Sequence, residues 1–309
     1  MNTFNRESDA TIIEPAPRSP AETLSLARAA FARERGLFIA GMSGLGIALL
    51  CLIAAVVRGS SIPPEGKMLD AATFSFGVGL FILTLALLLP LAGFSPQGRR
   101  RWRRLSYAFW VFSFVLEPLQ AFRGIDPRFT EAGNAADVVL GIFFGATALL
   151  LVVLFVIFAL RFFRDDVLQD YPTLRLGIRY GVVAVALSFG IGISMTVIGG
   201  RVVGDDGNLL LAHALGVHGI QALPGVALLV VWAGAAPRTN SWLHFAGVAW
   251  FAASTAALVQ AMLGRPPMEM SFLTTLIAAG LAVWAVAAAR SVVSWVRAAE
   301  AAPRVSPIG

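Results

Sequence analysis

A glutamate, an arginine, two histidines and a few amides interrupt stretches of this chain that are otherwise apolar. Glu117, Gln120 and Arg123 lie in or just beyond a run of Phe, Trp, Leu and Val, and His213, His218 and Gln221 share a second run with Pro224. Asp137, His244 and Gln260 sit near the ends of further apolar runs. In hydrocarbon an ionisable or amide side chain is costly unless it is paired, so these are the first residues to question for a function. A carboxylate and an imidazole can pass a proton, which makes Glu117 and His213 the candidate catalytic acid and base. Gln120, Arg123, His218, Gln221 and Gln260 are the candidate substrate-binding groups, with Arg123 suited to an anionic moiety. The same residues have a purely structural alternative, in which Glu117 pairs with Arg123 or a histidine to hold three helices together.

The elements that must position them follow from composition. The 309 residues are 57% hydrophobic and only 14% charged, with a mean hydropathy of +0.76, far from a soluble domain in which about a quarter of residues are charged. The balance excludes a disordered chain, and Cys51 as the only cysteine excludes a disulfide scaffold and any cysteine-held zinc or iron–sulfur centre. Eight apolar runs, near 37–57, 71–94, 105–122, 137–160, 180–199, 208–234, 241–263 and 271–293, are each long enough to cross a hydrocarbon core. The expected fold class is therefore all-α, a polytopic membrane helical bundle of about eight transmembrane helices.

Residues 1–36 read as a tail in which Ser19, Pro20 and Glu22 spell a helix start, followed by a short basic amphipathic stretch. Residues 37–297 form one membrane domain, and 298–309 a second tail, because loops of this length leave no room for a soluble domain. No signal-peptide pattern is present. No internal repeat is evident on inspection, which leaves an inverted-repeat transporter unsupported. Gly177, Gly181, Gly190, Gly192, Gly199 and Gly200 suit close helix packing.

The net charge of +6 belongs to the membrane flanks and implies no nucleic acid, since 23 of the 24 basic residues are arginines clustered between apolar runs. Counted over the eight spans, 18 of the 24 fall on one side. The positive-inside rule then puts both termini in the cytoplasm, and the expected location is a bacterial cytoplasmic (inner) membrane. In that frame Glu117 and His213 each lie about 8 Å below the outer boundary. Arg123 lies at the boundary and Gln260 at a depth similar to Glu117, so the third, sixth and seventh spans contribute to one polar layer.

Three other patterns fail on geometry. Gly41-Met42-Ser43-Gly44 with Ala212-His213 resembles the serine and histidine elements of rhomboid proteases, yet Ser43 lies in the inner half of its span and His213 in the outer half of another. His213 and His218 are five residues apart on one helix, and His244 lies about 20 Å deeper, which argues against bis-histidine haem within one chain. Asp165, Asp166 and Asp170 lack a second aspartate cluster on their side of the membrane, as a magnesium-diphosphate site would need, and no metal site is expected.

Two blocks, Glu117 to Thr130 and Asp206 to Pro224, resemble a family of uncharacterised bacterial polytopic membrane proteins with Gln-x-x-Arg-Gly and His-x4-His-x2-Gln elements. The chain departs from that pattern at Pro127-Arg128-Phe129-Thr130, where the family has a Ser-His-Phe-Asn turn. The resemblance implies that the third and sixth spans belong to one functional unit; it implies no activity. Three classes stay open: a membrane enzyme or binding protein for a small lipid-soluble molecule, a small-molecule carrier, and a structural subunit without a ligand. The lipid bilayer is the one partner the sequence demands; cofactor and oligomeric state are open.

Overall fold

The computed structural model describes residues 13, 16–17, 19–234 and 241–301, and nine α-helices carry these residues. Arg6, Arg18, Arg238 and Arg304 of the orientation count, and the tail from residue 302, lie outside the described residues. Eight of the helices are long and apolar enough to cross a bilayer. The chain is a multi-pass integral membrane protein.

Helix α1 (Pro20–Arg33) starts as its sequence requires, with the Ser19 hydroxyl accepting the Glu22 N–H at 3.2 Å. The spanning helices are α2 (Arg35–Arg58), α3 (Met68–Leu88), α4 (Pro96–Phe122), α5 (Ala135–Arg161), α6 (Pro172–Ile198), α7 (Leu210–Trp232), α8 (Ser241–Met262) and α9 (Phe272–Ala301). Four ends depart from expectation: α6 starts at Pro172, well before residue 180, α9 runs on to Ala301, past residue 293, and the other two are set by local chemistry. Helix α3 stops at Leu88, short of residue 94, because Pro90 opens a 3-10 turn that closes on Gly93 in the left-handed region (φ 62°). Helix α4 begins well before residue 105: the Ser95 hydroxyl caps the Gly98 N–H at 3.1 Å and Pro96 takes the first position, so the arginine-rich stretch is helical.

The described chain divides into two compact units, the first Glu34–Arg161 with Gly192–Gly200 and the second Met1–Arg33, Phe162–Ile191 and Arg201–Gly309. One plan runs through both, which inspection of the sequence does not reveal. In each, a long helix leads into a two-stranded hairpin, then a second helix, a third helix that ends on a left-handed glycine, a loop, and a fourth helix. The hairpins are β1 (Ser61–Ile62) with β2 (Gly66–Lys67), and β3 (Val202–Val203) with β4 (Gly207–Asn208). Their registers match, Ile62 opposite Gly66 and Val203 opposite Gly207. The two units share one element order.

The hairpins fix the plan by backbone contact. Glu65 N–H donates to the Gly124 carbonyl at 2.9 Å in the first unit, and Asp206 N–H to the Gly264 carbonyl at 3.3 Å in the second. A Cβ at Gly66 would stand 2.7 Å from the Gly124 Cα, and one at Gly207 2.9 Å from the Gly264 Cα, so only glycine allows either approach. Gly124 and Gly264 both take positive φ, 82° and 72°. Gly177 and Gly181 do lie against α7, as their spacing predicts, whereas a Cβ at Gly190, Gly199 or Gly200 would meet nothing within 4 Å.

The first unit is filled by aromatic residues. Trp110, Phe155 and Phe158 are fully buried, and the Trp102 indole donates to the Leu154 carbonyl at 2.8 Å. The second unit is packed around Ala184, Leu223, Ala246, Trp250 and Ala287, with the Trp250 indole donating to the Leu215 carbonyl at 2.9 Å. Indole partners of this kind remove the cost of burying an N–H in a core that water cannot reach.

Candidate functional site

Glu117 and Gln120 are both buried near the end of α4, and their partners come from the chain that follows. In the first unit the partner is not the Arg123 of the structural alternative: Arg128, from the α4–α5 loop, forms an ion pair with Glu117. Six helical residues place Arg123 about 120° round α4 from Glu117, out of reach. Arg123 instead pairs with Asp137 at 2.7 Å and donates to the Gln120 side-chain oxygen, while the Gln120 amide donates to Asp137 at 3.0 Å. Asp137 is itself set by the start of α5, where it accepts the Asn134 N–H at 3.1 Å.

Local turn chemistry aims Arg128 inward. The Asp126 carboxylate accepts the N–H groups of Arg128 and Phe129 at 2.8 and 3.0 Å, which closes a turn around Pro127. The guanidinium then lies against the adjacent rings of Phe74 and Phe144, 5.1 and 5.4 Å from their centroids, and reaches a carboxylate that is 1% exposed. Two aromatic rings beside the cation add a cation–π attraction to the buried ion pair.

Glu65, in the first hairpin, ties down the rest of that loop. Its carboxylate accepts the Thr130 hydroxyl at 2.6 Å and the N–H groups of Glu131, Ala132 and Asp126 at 2.8, 2.9 and 3.3 Å. The Thr130 hydrogen bond, helped by those backbone N–H groups and opposed by burial, lowers the carboxyl to about 2.

The second unit holds the other candidates. His213 Nδ1 lies 2.9 Å from the Ser188 carbonyl oxygen, which can only accept, so that nitrogen carries the proton; the Ser188 hydroxyl donates to the His213 carbonyl at 2.7 Å. His218 Nδ1 is 3.3 Å from the Gln221 side-chain oxygen. His244 is bonded to the Tyr180 hydroxyl at 2.8 Å. Gln260 joins α8 to the start of α9: its amide donates to the Pro266 carbonyl at 2.7 Å, and its oxygen accepts the Ser271 and Thr274 hydroxyls at 2.8 and 3.3 Å. Glu117, Gln120 and Arg123 thus belong to the first unit and His213, His218, Gln221 and Gln260 to the second. Ser43 is exposed and donates to the Ile39 carbonyl of its own helix at 2.9 Å. Among the described residues no group of three or more His, Cys, Asp or Glu side chains is arranged to hold a metal ion.

No family model, curated protein or solved structure matches the chain. The internal repeat supplies a comparison of its own. Gln120 and Gln260 precede their left-handed glycines by the same interval, and each ties its helix to the first turn of the next. Those glutamines serve the fold in both units. Glu117, by contrast, is matched by Ala257 and Arg123 by Leu263, while His213, His218 and Gln221 are matched by Ala72, Gly77 and Leu80. These polar side chains occur in one unit only, so the shared fold does not require them.

Arg128, Asp137 and Glu65 are the residues that sequence reasoning undervalued. The signal for Glu65 was present as Glu65-Gly66 with Gln120-Ala-x-x-Gly124, echoed by Asp206-Gly207 with Gln260-Ala-x-x-Gly264.

Proposed function

We propose that this membrane protein binds a small lipid-soluble molecule entering from the outer leaflet, with the Glu117–Arg128 pair as the polar anchor of the site. One observation carries the reading: a buried ion pair in apolar surroundings is expensive, and the second unit builds the same fold with Ala257 in place of Glu117. Arg128 reaches the pair from a loop and keeps 20% exposure, so an acidic or hydroxyl group on a ligand can exchange with the carboxylate without moving a helix. Phe74 and Phe144 supply the apolar and aromatic wall. Binding fits this geometry better than catalysis, since Arg128 occupies the Glu117 carboxylate and must leave before that group can exchange a proton. The arginine bias supports a bacterial cytoplasmic membrane with both termini inside.

A carrier is the second reading, favoured by the two units with the same element order, because internal repeats recur among membrane transporters. The family resemblance stands with either. Mass spectrometry of small molecules that co-purify with the full chain tests the binding reading. A lipid-soluble compound retained by the wild type and lost from Glu117→Gln and Arg128→Gln supports it; retention unchanged in both variants contradicts it.

A further inference from the structure

The arginine cluster at the start of α4 has two faces with different partners. Arg103 and Arg99 turn toward Glu34, 2.6 and 3.6 Å away, whose side chain is 1% exposed. Arg100, Arg101 and Arg104 are exposed, and among the described residues they form no ion pair. At about 100° per residue these three fall in the same sector of the helix as Tyr107, Ala108, Val111, Phe112 and Val115. Those five residues line a shallow, almost wholly apolar groove of about 540 Å³. It extends about 12 Å along the helix, most of the roughly 15 Å hydrocarbon depth of one leaflet.

A charged head directly above an apolar trough matches one chemistry. We propose that this face of α4 binds one anionic phospholipid of the arginine-rich leaflet, its phosphodiester held by Arg100, Arg101 and Arg104 and one acyl chain lying in the groove from Tyr107 to Val115. The positive-inside rule accounts for arginines on this side, but it does not account for three of them standing over the groove while Arg99 and Arg103 are taken up by Glu34. Guanidinium groups pair well with phosphate oxygens, and the groove gives a chain a surface that an inorganic anion would not use. The site is separate from the Glu117–Arg128 pair and does not depend on its reading.

Native mass spectrometry of the full chain in detergent, titrated with phosphatidylglycerol or phosphatidylcholine, tests the proposal. Each of Arg100→Gln, Arg101→Gln and Arg104→Gln is expected to lower phosphatidylglycerol retention about fivefold, and the triple variant to abolish the preference over phosphatidylcholine. Ala108→Trp, which fills the groove and leaves every arginine in place, is expected to lower retention of both lipids. A control pair on the same side, Arg28→Gln with Arg297→Gln, is expected to change neither. The proposal is overturned if the triple variant keeps the preference, if the control pair removes it equally, or if glycerol phosphate without acyl chains competes as well as the intact lipid. Should the triple variant fail to fold, the single variants and Ala108→Trp give the same decision.

Discussion

Gln120 and Gln260 hold matching positions in two units of one chain, each joining the last turn of a helix to the first turn of the next. Gln120 does so through Asp137, and Gln260 through Ser271 and Thr274. The capping geometry repeats as well: Asn134 N–H donates to Asp137 at 3.1 Å, and Ser271 N–H to Thr274 at 3.2 Å. Polar side chains that recur in this way are explained by the fold. Those found in one unit alone, Glu117 with Arg128 and His213 with Ser188, call for another explanation.

Replacing either glutamine by leucine should therefore loosen the fold and leave ligand retention intact in whatever protein survives. Each substitution strands buried hydrogen-bonding partners and should cost about 1–3 kcal/mol. The check is a thermal melt in detergent beside a retention assay on the folded fraction. A glutamine variant that melts like the wild type but loses its ligand would place that residue in the site.

The buried ion pair should respond unequally to loss of its two members. Arg128→Met leaves Glu117 at 1% exposure without its cation and should cost about 3–5 kcal/mol. Glu117→Leu should cost less, because Arg128 sits on a loop and can swing into water. The double variant should melt above Arg128→Met alone. Additive losses in that cycle would show that the two side chains do not work as a pair.

Acid should release the α4–α5 loop before the helices. The Glu65 carboxyl is lowered to about 2 from an ordinary value of 4.5. A carboxyl lowered by folding gives stability that is complete above its unfolded value and fades as the pH falls from 4.5 toward 2. Hydrogen exchange at Glu131 and Ala132, whose N–H groups it accepts, should accelerate over that window relative to intrinsic exchange. Glu65→Gln should show weakened protection already at neutral pH and little further change on acidification.

The close approach of hairpin and helix end should tolerate no side chain in either unit. Gly66→Ala and Gly207→Ala should each destabilise by about 1–3 kcal/mol, since backbone and not a flexible side chain must give way. Gly77→Ala, where a Cβ meets nothing within 4 Å, is the neutral comparison, read by the same melt.

The membrane architecture was legible because spanning segments must satisfy their backbone internally and cover their length with apolar residues. All eight helices overlap the apolar runs that predict them; of the missed ends, Leu88 and Pro96 were set by proline and capping chemistry that a hydropathy pattern does not weigh, and Pro172 and Ala301 lie beyond the apolar runs because the helices continue into their polar flanks. Glu117 and Gln120 were legible as buried polar residues, but their partners were not. Arg128 and Glu65 lie in loops, where charge is ordinary, and only the fold shows that Arg128 turns inward and that Glu65 organises its neighbour. The internal repeat escaped inspection because its shared residues are few and serve turns, while the spanning helices share little beyond being apolar.

The most direct test is the amount of small lipid-soluble molecule retained per folded protein, measured by quantitative mass spectrometry in wild type, Glu117→Gln and Gln120→Leu side by side. The account predicts retention in the wild type and in folded Gln120→Leu, with loss in Glu117→Gln. Equal retention in all three, or loss in Gln120→Leu alone, would contradict it.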